Sequence, residues 1–318
     1  MDSGKVIHKS VMLDRCIALL SPAFAGKESP IYLDATLGLG GHAEAFLEKF
    51  SNLTLVGLDR DKEAIALASS RLAPYKDRIH IFHAIYDDLN SVLNDLQIAQ
   101  VDGILFDLGL SSMQIDTSER GFSYASPAAL DMRMDQNSGK SAAEIIANYS
   151  KEELTQVIRE YGEERFASRI ASNIVKHRNK ERIESTTQLA QIVKESIPAP
   201  ARRVGGNPAK RTFQALRIEV NQELSILERA IPEALARLKV GGRMVVMSFQ
   251  SLEDRIVKRA FAQVCKSTAP LNLPVELESH RPKFALLFNG SEKATDLEIS
   301  ENSRAQSVRL RAIERVAA

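Results

Sequence analysis

A strand-then-helix alternation over the first hundred residues is the feature that most limits what this chain can fold into. Runs at 31–35, 54–59, 79–83 and 103–107 are short, rich in β-branched residues or leucine, and apolar enough to be covered on both faces. Between them, 42–50 and 62–72 carry Ala43, Phe46, Leu47 and Phe50, then Ile65, Ala68 and Leu72, at helical spacing. Such alternation predicts βαβ units and a parallel, doubly wound α/β sheet. Beyond residue 110 the pattern changes to polar, helix-rich sequence, with helices expected at 142–148, 151–161, 165–177, 187–196 and 213–238 and no strand signal. Strands return at 243–249, after the turn Gly241-Gly242, and at 284–288 and 308–313. The expected organisation is therefore one sheet domain built from 1–110 and 235–318, with an all-helical insertion at 111–234. An insertion between the fourth and fifth strands overhangs the ligand crevice at the carboxyl ends of an open α/β sheet.

Composition removes other classes. With 318 residues, 44% hydrophobic and 26% charged, the chain can bury a full core and is neither disordered nor fibrous. Cys16 and Cys265 are the only cysteines and have no Cys-x-x-Cys spacing, so neither a disulfide framework nor a structural metal is expected. That cysteine usage suits a reducing compartment, and no apolar run is long enough to span a membrane, which leads us to expect the cytoplasm. A net charge of +1 says nothing for or against nucleic acid, so local charge must decide.

The turn Asp34-Ala35-Thr36-Leu37-Gly38-Leu39-Gly40-Gly41-His42 joins the first strand to a helix, and its glycines let a ligand approach the backbone. Asp59 ends the second strand, 21 residues after Gly38, where a carboxylate can accept both ribose hydroxyls of an adenosine. The pair indicates a nucleoside cofactor. A dinucleotide loop asks for G-x-G-x-x-G, and the third spaced glycine is missing here, which counts against NAD. S-adenosylmethionine bears an amine and a sulfonium, so the strand-end acids Asp34 and Asp107 suit it better than they suit a pyrophosphate. A nicotinamide-dependent dehydrogenase and a non-catalytic ribosome-assembly factor are the two rival readings.

Several segments are similar to one known family. Gly38-Leu39-Gly40-Gly41-His42, Asp102-Gly103-Ile104-Leu105-Phe106-Asp107-Leu108-Gly109-Leu110-Ser111-Ser112, Arg120-Gly121-Phe122-Ser123 and Leu130-Asp131-Met132-Arg133-Met134-Asp135 come first in order. Tyr161-Gly162-Glu163-Glu164-Arg165-Phe166, Arg211-Thr212-Phe213-Gln214-Ala215-Leu216-Arg217-Ile218 and Ser251-Leu252-Glu253-Asp254-Arg255-Ile256-Val257-Lys258 follow. Together, over nearly the whole chain, they resemble the bacterial RsmH (MraW) family of 16S ribosomal RNA cytosine-N4 methyltransferases. The resemblance implies a class I, Rossmann-like methyltransferase using S-adenosyl-L-methionine on the exocyclic amine of the cytosine numbered 1402 in the small subunit. It carries cofactor positions onto Gly40, Gly41, His42, Asp59, Tyr86, Asp107 and Gln114. Two positions depart from the pattern: Gln250 stands where a histidine is expected, and Tyr86 where phenylalanine is usual. Glutamine cannot titrate near neutrality, so a histidine acid or base at 250 loses support.

Methyl transfer to a cytosine amine needs alignment and an acceptor for an amine hydrogen. Asp107, Ser111 and Ser112 are the candidates. Carbon methylation would need a thiolate, and neither cysteine lies at a strand end on the catalytic face. For RNA, 196–218 contains no acid but has Arg202, Arg203, Lys210, Arg211 and Arg217, which suits a phosphate backbone. A second basic group around 176–182 reads as an ordinary exposed helix end. Phe122 and Tyr124 are placed either to stack on an extruded base or to pack their own loop. Met132 and Met134 are expected to pin the insertion to the core. The partner implied is 16S RNA within the small ribosomal subunit, no membrane is implied, and a homodimer is left open.

Overall fold

The computed structural model describes residues 10–111, 113–114, 117–202, 207–270 and 277–318; Ser112 and Arg203 lie outside them. Among the described residues, the strands are β1 (Ile31–Asp34), β2 (Thr54–Asp59), β3 (Ile79–His83), β4 (Val101–Asp107), β5 (Leu238–Ser248), β6 (Phe284–Leu286) and β7 (Arg309–Arg315). They form one sheet in the order β3-β2-β1-β4-β5-β7-β6. Strands β1 to β5 pair in parallel, and β7 runs antiparallel to both β5 and β6. This is the class I methyltransferase sheet. The chain grows outward from β1 to β3 and then returns to lay β4 on the other side of β1. The loops leaving β1 and β4 therefore diverge and open a crevice at their carboxyl ends.

Both faces of the sheet are buried, because successive side chains alternate. Tyr32 of β1, Leu105 of β4, and Val245 and Met247 of β5 join one apolar cluster. Leu33, Ile104, Phe106, Met244 and Val246 join the other. Helices α2 (Gly41–Lys49), α3 (Lys62–Arg71) and α4 (Leu89–Asp95) connect the early strands. Helix α1 (Leu13–Phe24) goes beyond the expected elements, and it buries Cys16, Leu19, Leu20, Ala23 and Phe24 at helical spacing despite Pro22 within it. The Phe24 ring occupies the space above Gly103, where a Cβ would sit 2.4 Å from Phe24 Cζ. We expect Gly103→Ala to lower stability by about 1–3 kcal/mol through overpacking. Urea denaturation checks this, and an unchanged midpoint would refute it.

The chain divides into two compact units, Met1–Gly109 with Leu224–Ala318, and Leu110–Glu223. The second has its own core, formed by α5 (Ala142–Asn148), α6 (Lys151–Glu160), α7 (Ala167–Arg178), α8 (Thr186–Ser196) and α10 (Lys210–Asn221), with the short α9 (Ala199–Arg202) between the last two. Ser141, Ser150 and Ser185 start α5, α6 and α8 through capping boxes with Glu144, Glu153 and Gln188.

Helix 213–238 was expected as one piece and is two. Gln222 adopts the left-handed conformation with φ 51°, ending α10 before α11 (Glu223–Ala236) begins. Leu227, Ala230, Ile231, Ala234 and Leu235 of α11 pack in the second cluster under the sheet. Met132 is buried in the helical unit's own core. Asn221 fixes its loop, accepting from Met134 N at 2.8 Å and donating to Met132 O at 2.8 Å. Asn221→Ala leaves a buried N–H and a carbonyl unpaired, so we expect a loss of about 1–3 kcal/mol in denaturant unfolding. A change within error would show that water replaces these bonds.

Helix α12 (Ser251–Val264) follows β5, and α13 (Asp296–Glu301) precedes β7. No described helix is long and apolar enough to cross a membrane.

Candidate active site

The carboxyl ends of β1, β2 and β4 each finish in an aspartate. After β1 the chain needs left-handed backbone at Gly38, φ 52°, and Gly40, φ 77°. A Cβ on Gly41 would lie 2.3 Å from Ser10 Oγ, a hydroxyl that can rotate away, so the glycine requirement in this loop rests on Gly38 and Gly40. Asp59 reaches across to this loop, with Oδ2 accepting from Gly38 N at 2.7 Å and Oδ1 accepting from Asp61 N at 2.8 Å. Two backbone donors orient the carboxylate and leave lone pairs for further donors. Burial raises the Asp59 carboxyl above its usual range, while the two amide bonds oppose the rise.

Asp34 is 1% exposed. Its Oδ1 accepts from Thr36 N and its Oδ2 from the Tyr32 hydroxyl, both at 3.2 Å. Burial lifts its carboxyl to about 7. Thr36 also anchors β4, since its Oγ1 accepts from Asp107 N at 2.6 Å. Burial, then the charges of Asp34 and Glu253, push Asp107 up to about 8. Its side chain keeps 28% of its surface exposed, so water softens that rise and leaves the carboxyl within reach of a ligand.

His42 sits in the first turn of α2. Its Nε2 lies 3.0 Å from Val11 O. A carbonyl only accepts, so Nε2 carries the proton and the neutral ring turns a bare Nδ1 toward Asp107 Oδ2, 3.8 Å away. Burial holds the imidazole down at about 4, so it is uncharged at neutral pH. On the far side, Glu253 accepts from Phe249 N at 2.9 Å, Gln250 N at 3.3 Å and Gln250 Nε2 at 2.9 Å. Gln250, at the position of the expected histidine, thus helps fix Glu253 at the start of α12. Tyr86, just past β3, packs edge-to-face on Phe106 with ring centroids 5.6 Å apart.

The family model for the MraW methylase family matches residues 5–316. The chain belongs to that family. It is 55% identical over 314 residues to the ribosomal RNA small subunit methyltransferase H of Saccharopolyspora erythraea, covering 99% of this chain and 95% of that one. The protein of the same name from Salinispora tropica is 56% identical over 312 residues, covering 97% of this chain and 84% of that one. The Mycolicibacterium smegmatis protein of that name is 53% identical over 314 residues, covering 97% and 84%.

As an MraW-family member the chain is an S-adenosylmethionine-dependent methyltransferase, and the residues present fit that cofactor. The left-handed turns at Gly38 and Gly40 bring backbone without side chains to the strand end, Asp59 has acceptor capacity to spare, and Asp34, Asp107 and Glu253 gather carboxyl groups whose ionised forms a cation favours. Gly40, Gly41, His42, Asp59, Tyr86 and Asp107 all lie along this edge of the sheet unit. Ser111 and Gln114 belong to the helical unit, where each binds the other's backbone: Ser111 N donates to Gln114 Oε1 at 3.1 Å and Gln114 N to Ser111 Oγ at 3.2 Å. Thr36, Val11 and Glu253 were not among the residues expected from sequence. Glu253 lies in a segment that carries the resemblance, but nothing in the sequence signals Thr36 or Val11.

The basic residues differ in how free they are. Lys210 and Arg211 are exposed. Arg211 Nη1 makes a 3.2 Å bond to Glu163 O and sits 3.9 Å from Glu164 Oε2. Arg202 Nε donates to Ile197 O at 2.6 Å. Arg217 is held by both oxygens of Glu223, at 2.8 and 2.9 Å, and only 17% of its side chain is exposed. Phe122 and Tyr124 pack against the helical unit's core, Tyr124 edge-to-face on Phe213.

Proposed function

We propose that this chain methylates small-subunit ribosomal RNA at the N4 amine of the cytosine numbered 1402. The observation that carries this is the joining of the Asp59–Gly38 bond to a half-buried Asp107 of raised pKa on one sheet edge in a member of the MraW methylase family. Relatives more than half identical over nearly the whole chain are named for small-subunit ribosomal RNA. In this reading Asp59 takes the ribose hydroxyls, the loop from Gly38 to Gly41 lies under the cofactor, and Tyr86 offers it an aromatic face. When bound, the cofactor supplies an electrophilic methyl group.

Asp107 is assigned the acceptor role. The cytosine amine is a weak nucleophile because its lone pair is delocalised into the ring, and a carboxylate bonded to an N4 hydrogen enriches the nitrogen and takes the proton as the new bond forms. His42 stays neutral and adds no positive charge beside it. The helical segment expected over 111–234 is assigned substrate recognition through Arg202, Lys210 and Arg211, and the family resemblance assigns Gln114 to the cofactor. We leave Arg217 out of the RNA contacts because Glu223 already neutralises it. Phe122 is assigned to packing. Every residue invoked belongs to one chain, so the reading does not depend on a homodimer, and the work is done in the cytoplasm, where ribosomes are assembled.

A base must be ionised to act. With Asp107 up to about 8 in the ligand-free protein, kcat/KM rises roughly tenfold per pH unit up to about pH 8 and then levels. The limb becomes shallower below about 7, because protonating Asp34 removes a charge that holds Asp107 up. A pH-independent kcat/KM from 6 to 9 would contradict the assignment. The reading as a whole is tested by mass spectrometry of 16S RNA nucleosides from a strain lacking the gene. One cytosine should lose its N4-methyl group and regain it on complementation, whereas an unchanged profile would remove the proposed function.

A further inference from the structure

Helix α12 carries a motif that the active site uses on one side only. Its inner face buries Glu253, Val257 and Phe261. Both of its acids are spent inside the fold. Glu253 binds the backbone at the helix start, and Asp254 is gripped by Arg311, with Oδ1 2.7 Å from Nε and Oδ2 3.0 Å from Nη2. What remains outside is Arg255, Lys258 and Arg259, all exposed. Positions three and four apart share one helix face, so the three cations form a single stripe. Like charges at that spacing disfavour a helix, and Lys258 and Arg259 make no ion pair with any described residue that would offset it.

The stripe is also well placed. Helix α12 begins three residues after β5 ends, on the sheet edge that holds Asp34, Asp59 and Asp107. The charge of Glu253, in its first turn, is felt at Asp107. Lys258 and Arg259 follow Glu253 by five and six residues, about 8–9 Å along the axis. The apolar residues Ile256 and Ala260 pack inward, so the outer face offers charge without an apolar anchor. That chemistry suits a polyanion and not an apolar peptide.

We propose that Arg255, Lys258 and Arg259 on the outer face of α12 bind the phosphate backbone of the RNA strand that delivers the base to Asp107. This rests on the ribosomal RNA reading above and adds a contact surface on the methyltransferase unit itself. Phosphate contacts position a strand without reading its sequence.

The test uses the full chain, with small ribosomal subunits from cells lacking the enzyme and with the naked 16S RNA from the same subunits. Lys258→Gln with Arg259→Gln should reduce the slope of log affinity against log salt by about one to two for both substrates. KM for subunits should rise about tenfold, with kcat at saturation and S-adenosylhomocysteine affinity as in the wild type. Arg255→Gln should add to the effect, and the charge-keeping pair Lys258→Arg with Arg259→Lys should restore the wild-type slope. Wild-type slope and KM in the glutamine variant would overturn the proposal. So would a change seen with subunits but not with naked RNA, which would point to a ribosomal protein as the partner. If the wild-type enzyme methylates subunits while the variant binds them normally, only this inference falls; if the wild type transfers no methyl group at all, the functional reading falls with it.

Discussion

Asp107→Asn should lower kcat for methyl transfer by about 10²–10⁴-fold at saturating cofactor and leave the protein folded. Asparagine matches aspartate in shape and preserves the Asp107 N–H bond to Thr36 Oγ1, which belongs to the backbone. It cannot accept a proton. Burial already disfavours the ionised Asp107 carboxyl, and a neutral amide escapes that penalty, so the ligand-free fold should lose no stability from the substitution. Single-turnover assays on small subunits separate this from cofactor binding, because saturation hides any change in affinity. Full turnover by the asparagine variant would end the acceptor assignment, and attention would pass to Ser111, whose Oγ already accepts from Gln114 N.

The second large effect is expected at Asp59. Removing the carboxylate with Asp59→Ala costs two charge-assisted bonds to ribose, and a hydrogen bond to a charged group contributes about 1.5–3 kcal/mol. One such bond alone corresponds to roughly a 10- to 150-fold weaker Kd for S-adenosylhomocysteine. The loop loses its tether as well, since Gly38 N and Asp61 N both donate to this side chain. Asp59→Asn separates the two roles. It keeps one acceptor oxygen but turns an NH2 toward a backbone donor, so calorimetry should show a smaller loss than for alanine and never wild-type affinity. Unaltered binding in both variants would place the cofactor away from this edge.

Much of this site was readable in the sequence because it is built from consecutive βαβ units. The spacing from Gly38 to Asp59 is fixed by one helix and one strand, and the two residues do meet, at 2.7 Å. Strand-end aspartates were visible for the same reason: an apolar run that ends in an acid marks where the sheet edge meets solvent. Other features depend on partners distant in sequence. Val11 sets the tautomer of His42 across 31 residues, and Thr36 orders Asp107 across 71. No periodicity encodes either. Helix α1 hid behind Pro22, and the break at Gln222 hid because a glutamine rarely takes a left-handed backbone. Charge alone also misled at Arg217. It looked like one more cation in an acid-free stretch, and Glu223, just beyond that stretch, claims it.

The most direct measurement is a crystal structure with S-adenosylhomocysteine. The account predicts ribose hydroxyls within hydrogen-bond reach of the Asp59 oxygens and the ligand backbone lying over Gly38, Gly40 and Gly41, with its sulfur turned toward Asp107. A ligand seated elsewhere, or an Asp59 carboxylate that makes no contact with it, would contradict the account.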